Sequence, residues 1–162
     1  MSGSDHRAQP NSGTHATRPK RPAYLSPPNI GLVLLGGGIG AGLREGFSLW
    51  IPEADGVQLV VPVVNLLGAF LLGWLYEALA GGRTAPSSAA RLRLLIGTGF
   101  CGGLTTYSSL STDTAVLLYD DRYGVGVAYA AGTVLLGALA TIAGIAAGAH
   151  GGTRRHAKEA GR

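Results

Sequence analysis

Residues 123–149 read YGVGVAYAAGTVLLGALATIAGIAAGA, 27 positions without a single Asp, Glu, Lys or Arg. A second uncharged run, VQLVVPVVNLLGAFLLGWLY, fills the 20 positions 57–76. A helix needs about 20 apolar residues to cross roughly 30 Å of hydrocarbon, and both runs are long enough. Working outward, two further apolar stretches complete the pattern, one over about 30–50 and one over about 92–119. Lipid offers nothing to backbone N–H and C=O groups, so such segments must be helices or strands of a closed barrel. They are too long and too uniformly apolar for barrel strands, which alternate over about ten residues. The expectation is an all-α membrane protein with four transmembrane helices.

Composition agrees. Of 162 residues only 14% are charged, against roughly 25% in an ordinary soluble domain, while 46% are hydrophobic and 27 are glycine. A soluble protein this small has much surface to cover and needs charges to cover it. The balance excludes a soluble enzyme and a disulfide-stapled secreted domain; Cys101 is the single cysteine. The net charge of +4 does not indicate a nucleic-acid partner, because the basic residues flank the apolar segments. The four histidines, His6, His15, His150 and His156, lie in the polar ends and do not suggest a metal site.

The chain divides into residues 1–28, read as a disordered cytoplasmic tail from their Ser, Gly, Pro and Arg content; 29–149, the membrane domain; and 150–162, a basic cytoplasmic tail. No apolar signal-peptide core precedes Ile30. With four spans, both tails and the loop at 80–91 share one side, and that side, with Arg93 just past the loop, carries 11 of the 13 basic residues. Basic residues are retained in the cytoplasm, so both termini are expected there, in one fixed orientation within the cell membrane.

The third segment carries the densest chemistry: GTGFCGGLTTYSSLSTD over 97–113. Paired glycines followed by hydroxyl side chains weaken a helix, and the expectation is a break at Gly102-Gly103. Freed carbonyls could hold a cation, and a new helix N-terminus presents amides to an anion. Equally, small residues allow close helix packing while Ser and Thr bond back to their own helix. Asp113 lies seven residues beyond Thr106 on the same face, at a depth where ionisable groups are costly. Asn65 is the strongly polar residue of the second segment, suited either to an interhelical hydrogen bond or to donating to an anion. Gly68 and Gly73 read as packing positions. Arg44, beside Glu45, is a neutralised pair or an anion-attracting charge at a pore mouth. Tyr129 and Thr133 are helical neighbours on one face.

Four stretches, GGIGAGLR at 37–44, VNLLGAFLLG at 64–73, GFCGGLTTYS at 99–108 and YAAGTVLLG at 129–137, together resemble the CrcB (Fluc) family of fluoride channels. The resemblance implies a dimer of four-helix subunits packed antiparallel, each with a break in its third helix, and a passive, non-enzymatic path for the fluoride ion across the lipid bilayer. It implies one structural, untransported sodium ion at the dimer centre, held by the carbonyls of Gly102 and Thr105. It places Asn65, Tyr107, Ser109, Tyr129 and Thr133 on the fluoride path and Arg44 at its vestibule. The sequence departs from the family at three points. An aromatic pair stands here as Tyr107 and Leu110, a glutamate as Asp113, and a threonine before the pore asparagine as Val61. The family includes dual-topology homodimers and pairs of fixed-orientation paralogues, and the charge count favours the second. Two other functions are consistent with the residues: a non-conducting partner subunit, and a small multidrug-type proton-coupled exporter, which needs a carboxylate deeper in its first helix than Glu45.

Overall fold

Proline opens a helix without loss, since the first N–H groups of a helix have no internal partner. Helix α1 begins in this way at Pro27 and runs to Trp50 (Pro27–Trp50). The computed structural model describes residues 26–82 and 84–159, with 151–159 described as backbone only. Of the tail expected over 1–28, residues 1–25 lie outside the described residues, and its last two prolines already belong to α1.

The connection after α1 is a β-hairpin rather than an irregular loop. Strands β1 (Glu53–Ala54) and β2 (Val57–Gln58) pair antiparallel, Glu53 opposite Gln58 and Ala54 opposite Val57. The two turn residues, Asp55 and Gly56, both have positive φ, 51° and 73°. An Asp-Gly pair suits that turn because glycine takes left-handed angles freely and aspartate tolerates them. Helix α2 (Val60–Ala80) follows.

The third segment starts earlier than its hydropathy suggests, at Pro86, and Arg91 and Arg93 are helical rather than loop residues. It consists of α3 (Pro86–Leu92), a π-helical segment (Arg93–Cys101), a single turn α4 (Gly102–Leu104) and α5 (Tyr107–Tyr119). Between the last two, Thr105 (φ −81°, ψ 154°) and Thr106 (φ −146°, ψ 122°) are extended. The expected weak point at Gly102-Gly103 is therefore displaced: Gly102 keeps helical angles, and the helix stops at the threonine pair. Helix α6 (Tyr123–Glu159) continues through most of the basic tail expected over 150–162.

Glycines determine how these helices meet. Gly36, Gly40, Gly99 and Gly103 lie where α1 runs along the π segment and α4. A Cβ on Gly103 would strike the Gly37 carbonyl, and one on Gly40 the Phe100 carbonyl. Gly73 and Gly144 perform the same service between α2 and α6, each against the partner helix's backbone. Lipid tails are as apolar as leucine, so membrane helices associate through close backbone approach of this kind. The buried cluster of Val60, Val61, Val64, Leu104 and Leu110 gathers around the extended threonine pair, with Phe47, Ile51, Phe100 and Tyr129 packed on it.

Among the described residues, three helices are long and apolar enough to cross a membrane: Pro27–Trp50, Val60–Ala80 and Tyr123–His150. The segment from Pro86 to Tyr119 is divided into pieces, none of which reaches that length. At most 22% of each spanning window is buried within the chain, and Leu34, Leu49, Leu135 and Ile142 stand exposed. So much apolar surface requires lipid or another chain against it. The protein is a predominantly helical membrane protein.

The glycine contacts can be checked by substitution. Gly40→Val forces a side chain into backbone atoms and is expected to cost about 1–3 kcal/mol, read as a lowered thermal midpoint in detergent. Gly31→Ala, with open space around its Cβ, is expected to leave the midpoint unchanged.

Candidate functional site

An interrupted helix leaves peptide groups unpaired, and a buried unpaired peptide group costs about 1–3 kcal/mol. Asn65 removes that cost for Thr106. Its Oδ1 accepts from the Thr106 backbone N–H at 2.8 Å, and its Nδ2 donates to the Thr106 carbonyl at 3.0 Å. A side-chain amide presents one donor and one acceptor side by side, so it pairs with a single extended residue as a neighbouring strand would. Thr106 is itself 8% exposed.

The threonine hydroxyls complete the junction. Thr106 caps α5: its Oγ1 accepts from the Ser109 backbone N–H at 3.2 Å and donates to Ser109 Oγ at 3.1 Å. Thr105 Oγ1 donates back to the Cys101 carbonyl at 2.9 Å, which the Thr105 backbone N–H also reaches. The methyl of Thr105 fits over Gly68, where a Cβ would collide with it.

The carbonyls of Gly102, Gly103, Leu104 and Thr105 lose their helical partners in consequence. In a continuous helix the Thr106 N–H would close on Gly102 and the Ser109 N–H on Thr105. Here the first goes to Asn65 and the second to the Thr106 hydroxyl. Gly102 is exposed, with nothing within 4 Å of where its Cβ would stand. Backbone carbonyls are hard oxygen donors suited to hard cations. Among the described residues no cluster of His, Cys, Asp or Glu offers an alternative metal site. The carbonyls freed at the interruption, those of Gly102 and Thr105 among them, are donors of the type a hard cation takes.

Beside the junction lies a cavity of about 410 Å³. Arg44 and Glu45 of α1, Glu53 and Gln58 of the hairpin, and Thr106 and Ser109 line it. Among the described residues no ion pair joins Arg44 to Glu45, although both line this cavity. Val61 lines the same cavity and, lacking a hydroxyl, adds no polar group to it. A smaller cavity of about 190 Å³ is lined by Asn65, Thr105, Thr106, Tyr107 and Leu110.

The residues expected to act together therefore fall into three groups. Arg44 and Ser109 share the larger cavity, and Asn65 and Tyr107 share the smaller one, with Thr106 common to both. Tyr129 and Thr133 line neither cavity. The Tyr129 hydroxyl sits 2.9 Å from Asp113 Oδ2 and 3.2 Å from the Gln58 carbonyl, while Thr133 Oγ1 donates to the Tyr129 carbonyl at 2.7 Å. Tyr107 is 82% exposed, whereas Leu110, its partner in the expected aromatic pair, is buried in the core at 7%. Sequence reasoning missed the part played by Thr106, the Asp113–Tyr129 bond and the hairpin that carries Glu53. Only the hairpin had a local signal, the Asp55-Gly56 pair.

Extended threonines pinned beside a polar cavity with an arginine define a class: a helical membrane protein with an interrupted helix at a polar site. The chain belongs to the CrcB family; residues 31–145 match the family described as CrcB-like protein, Camphor Resistance (CrcB). It is 41% identical over 136 residues to fluoride-specific ion channel FluC 2 of Leifsonia xyli subsp. xyli, covering 83% of this chain and 92% of that protein. It is 37% identical to fluoride-specific ion channel FluC of Oceanobacillus iheyensis over 67% of this chain and 82% of that one. With the FluC protein of Chlorobium phaeobacteroides the identity is 41%, over 70% and 86% respectively. The family is one of ion channels, not enzymes.

Removing the Asn65 amide tests the junction. Asn65→Ala leaves both Thr106 peptide groups unpaired, and the expected loss is at least about 2 kcal/mol, measured as a fall in thermal midpoint.

Proposed function

We propose that this protein is a fluoride-specific channel that lets fluoride leave the cytoplasm passively, lowering its toxicity. The observation that carries the reading is the junction itself. Asn65 pins Thr106 in an extended form, and the helix opens beside a cavity that holds Arg44, Thr106 and Ser109. Fluoride is small and strongly hydrated, so a path for it must replace water with fixed donors. The Ser109 hydroxyl and the second N–H of Asn65 are such donors, and Arg44 raises the anion concentration at the mouth. No proton, nucleotide or covalent step is called for. The similarity to relatives named fluoride-specific ion channels supports the same reading.

In this proposal the segment from Pro86 to Tyr119 crosses the bilayer as a broken span, making four in all. The carbonyls of Gly102 and Thr105 face the centre of an antiparallel dimer, where with their counterparts they would hold one sodium ion. When bound, that ion supplies a fixed positive charge beside the anion path. The exposed face of α5 and α6, with an apolar groove of about 620 Å³ that includes Tyr107 and Leu135, supports burial against a second subunit. Both termini lie in the cytoplasm and the protein resides in the cell membrane. The heavy one-sided charge distribution favours an oppositely oriented paralogue as the second subunit.

A second reading has an observation of its own: this chain is a non-conducting partner whose own path is idle. Leu110 is buried in the core and offers no electropositive ring edge to an anion.

Fluoride efflux from liposomes separates these possibilities. The chain with its paralogue is expected to release fluoride, and the chain alone to release little. Rapid release from the chain alone overturns the need for a partner. Asn65→Ala in this chain alone of the pair is expected to reduce the rate, and an unchanged rate assigns conduction to the other path. Transfer to sodium-free buffer is expected to lower both the efflux rate and the thermal midpoint of the pair, while potassium removal leaves them as they were.

A further inference from the structure

The β-hairpin is built into the site rather than hung beside it. Arg122, in the turn between α5 and α6, donates from Nη1 to the Asp55 carbonyl at the hairpin tip. The Tyr129 hydroxyl lies 3.2 Å from the Gln58 carbonyl at the hairpin base. The turn and β2 are thereby tied to the helices and β1 to β2 by the ladder, and Glu53, opposite Gln58, lines the same cavity as Arg44. The charged residues lining that cavity are Arg44, Glu45 and Glu53, a formal sum of −1. None of the three forms an ion pair with another described residue. A mouth meant only to gather anions would carry a net positive charge.

We propose that Glu53 is a rate-setting residue of the channel: the hairpin fixes its carboxylate at the vestibule mouth, where it opposes Arg44 and lowers the local fluoride concentration. The inference rests on the fluoride-channel reading above. It differs from that reading in assigning a function to a residue outside the helices. A solvent-exposed carboxylate at a cavity wall acts on an ion through water, so its influence is a modest factor that salt abolishes. Because Glu53 is exposed on a two-residue strand, replacing it does not disturb the core.

The test is the fluoride current of the full-length chain in planar bilayers, in whichever assembly conducts, with fluoride supplied from the hairpin side. At about 10 mM ionic strength, where the screening length is about 30 Å, Glu53→Gln is expected to raise the current roughly two-fold and Glu53→Lys roughly four-fold. Near 1 M salt, with screening over about 3 Å, both ratios are expected to fall to one. An unchanged current at low salt, or an increase that persists undiminished at high salt, overturns the assignment while leaving the channel reading intact. No fluoride current from the unaltered protein in any assembly overturns the channel reading, and this inference with it.

Discussion

Everything at the centre of this protein depends on one side-chain amide meeting one peptide group. Asn65 offers an acceptor and a donor to Thr106, and with both satisfied the residue can remain extended where a helix would otherwise continue. In water such an arrangement would be nearly neutral, since solvent would serve as well. Away from water, the alternative for Thr106 is an unpaired peptide, and the bond pair becomes decisive. From it follow the new start of α5, the cap by the Thr106 hydroxyl and the carbonyls of Gly102 to Thr105 left without helical partners.

Close packing makes that meeting possible. Asn65 reaches Thr106 because α2 lies against the junction, with Gly68 yielding space to the Thr105 methyl and Val64 fully buried beside it. On the other side, α1 presses its glycines onto the π segment and α4 until backbone touches backbone. π-helical turns occur mostly at functional sites, and this one leads directly into the interruption. Gly103, which looks like a helix breaker in the sequence, acts here as a contact surface against α1.

Charge is arranged with similar economy. The described part of the chain holds Arg44, Glu45 and Glu53 in one cavity without pairing them, so the field of each is left uncompensated there. Asp113 is treated differently: it is spent on the Tyr129 hydroxyl, which ties α5 to α6 near the hairpin base.

Hydropathy and charge alone determined that the chain lives in a membrane, where its long helices run and which residue types would be chemically useful, because lipid permits few solutions and each leaves a long uninterrupted signal. Asn65 and Asp113 could be singled out in this way, as polar groups where polarity is expensive, while Thr105 and Ser109 were marked only by the family resemblance. Their partners could not. The separation of 41 positions from Asn65 to Thr106 hides the bond that moves the interruption from the glycine pair to the threonines. The distance from Gln58 to Tyr129 likewise hides the support beneath the hairpin. Those features were decided by tertiary structure, since a hydrogen bond between distant segments exists only once packing has brought the two groups within 3 Å, and no local pattern records that approach.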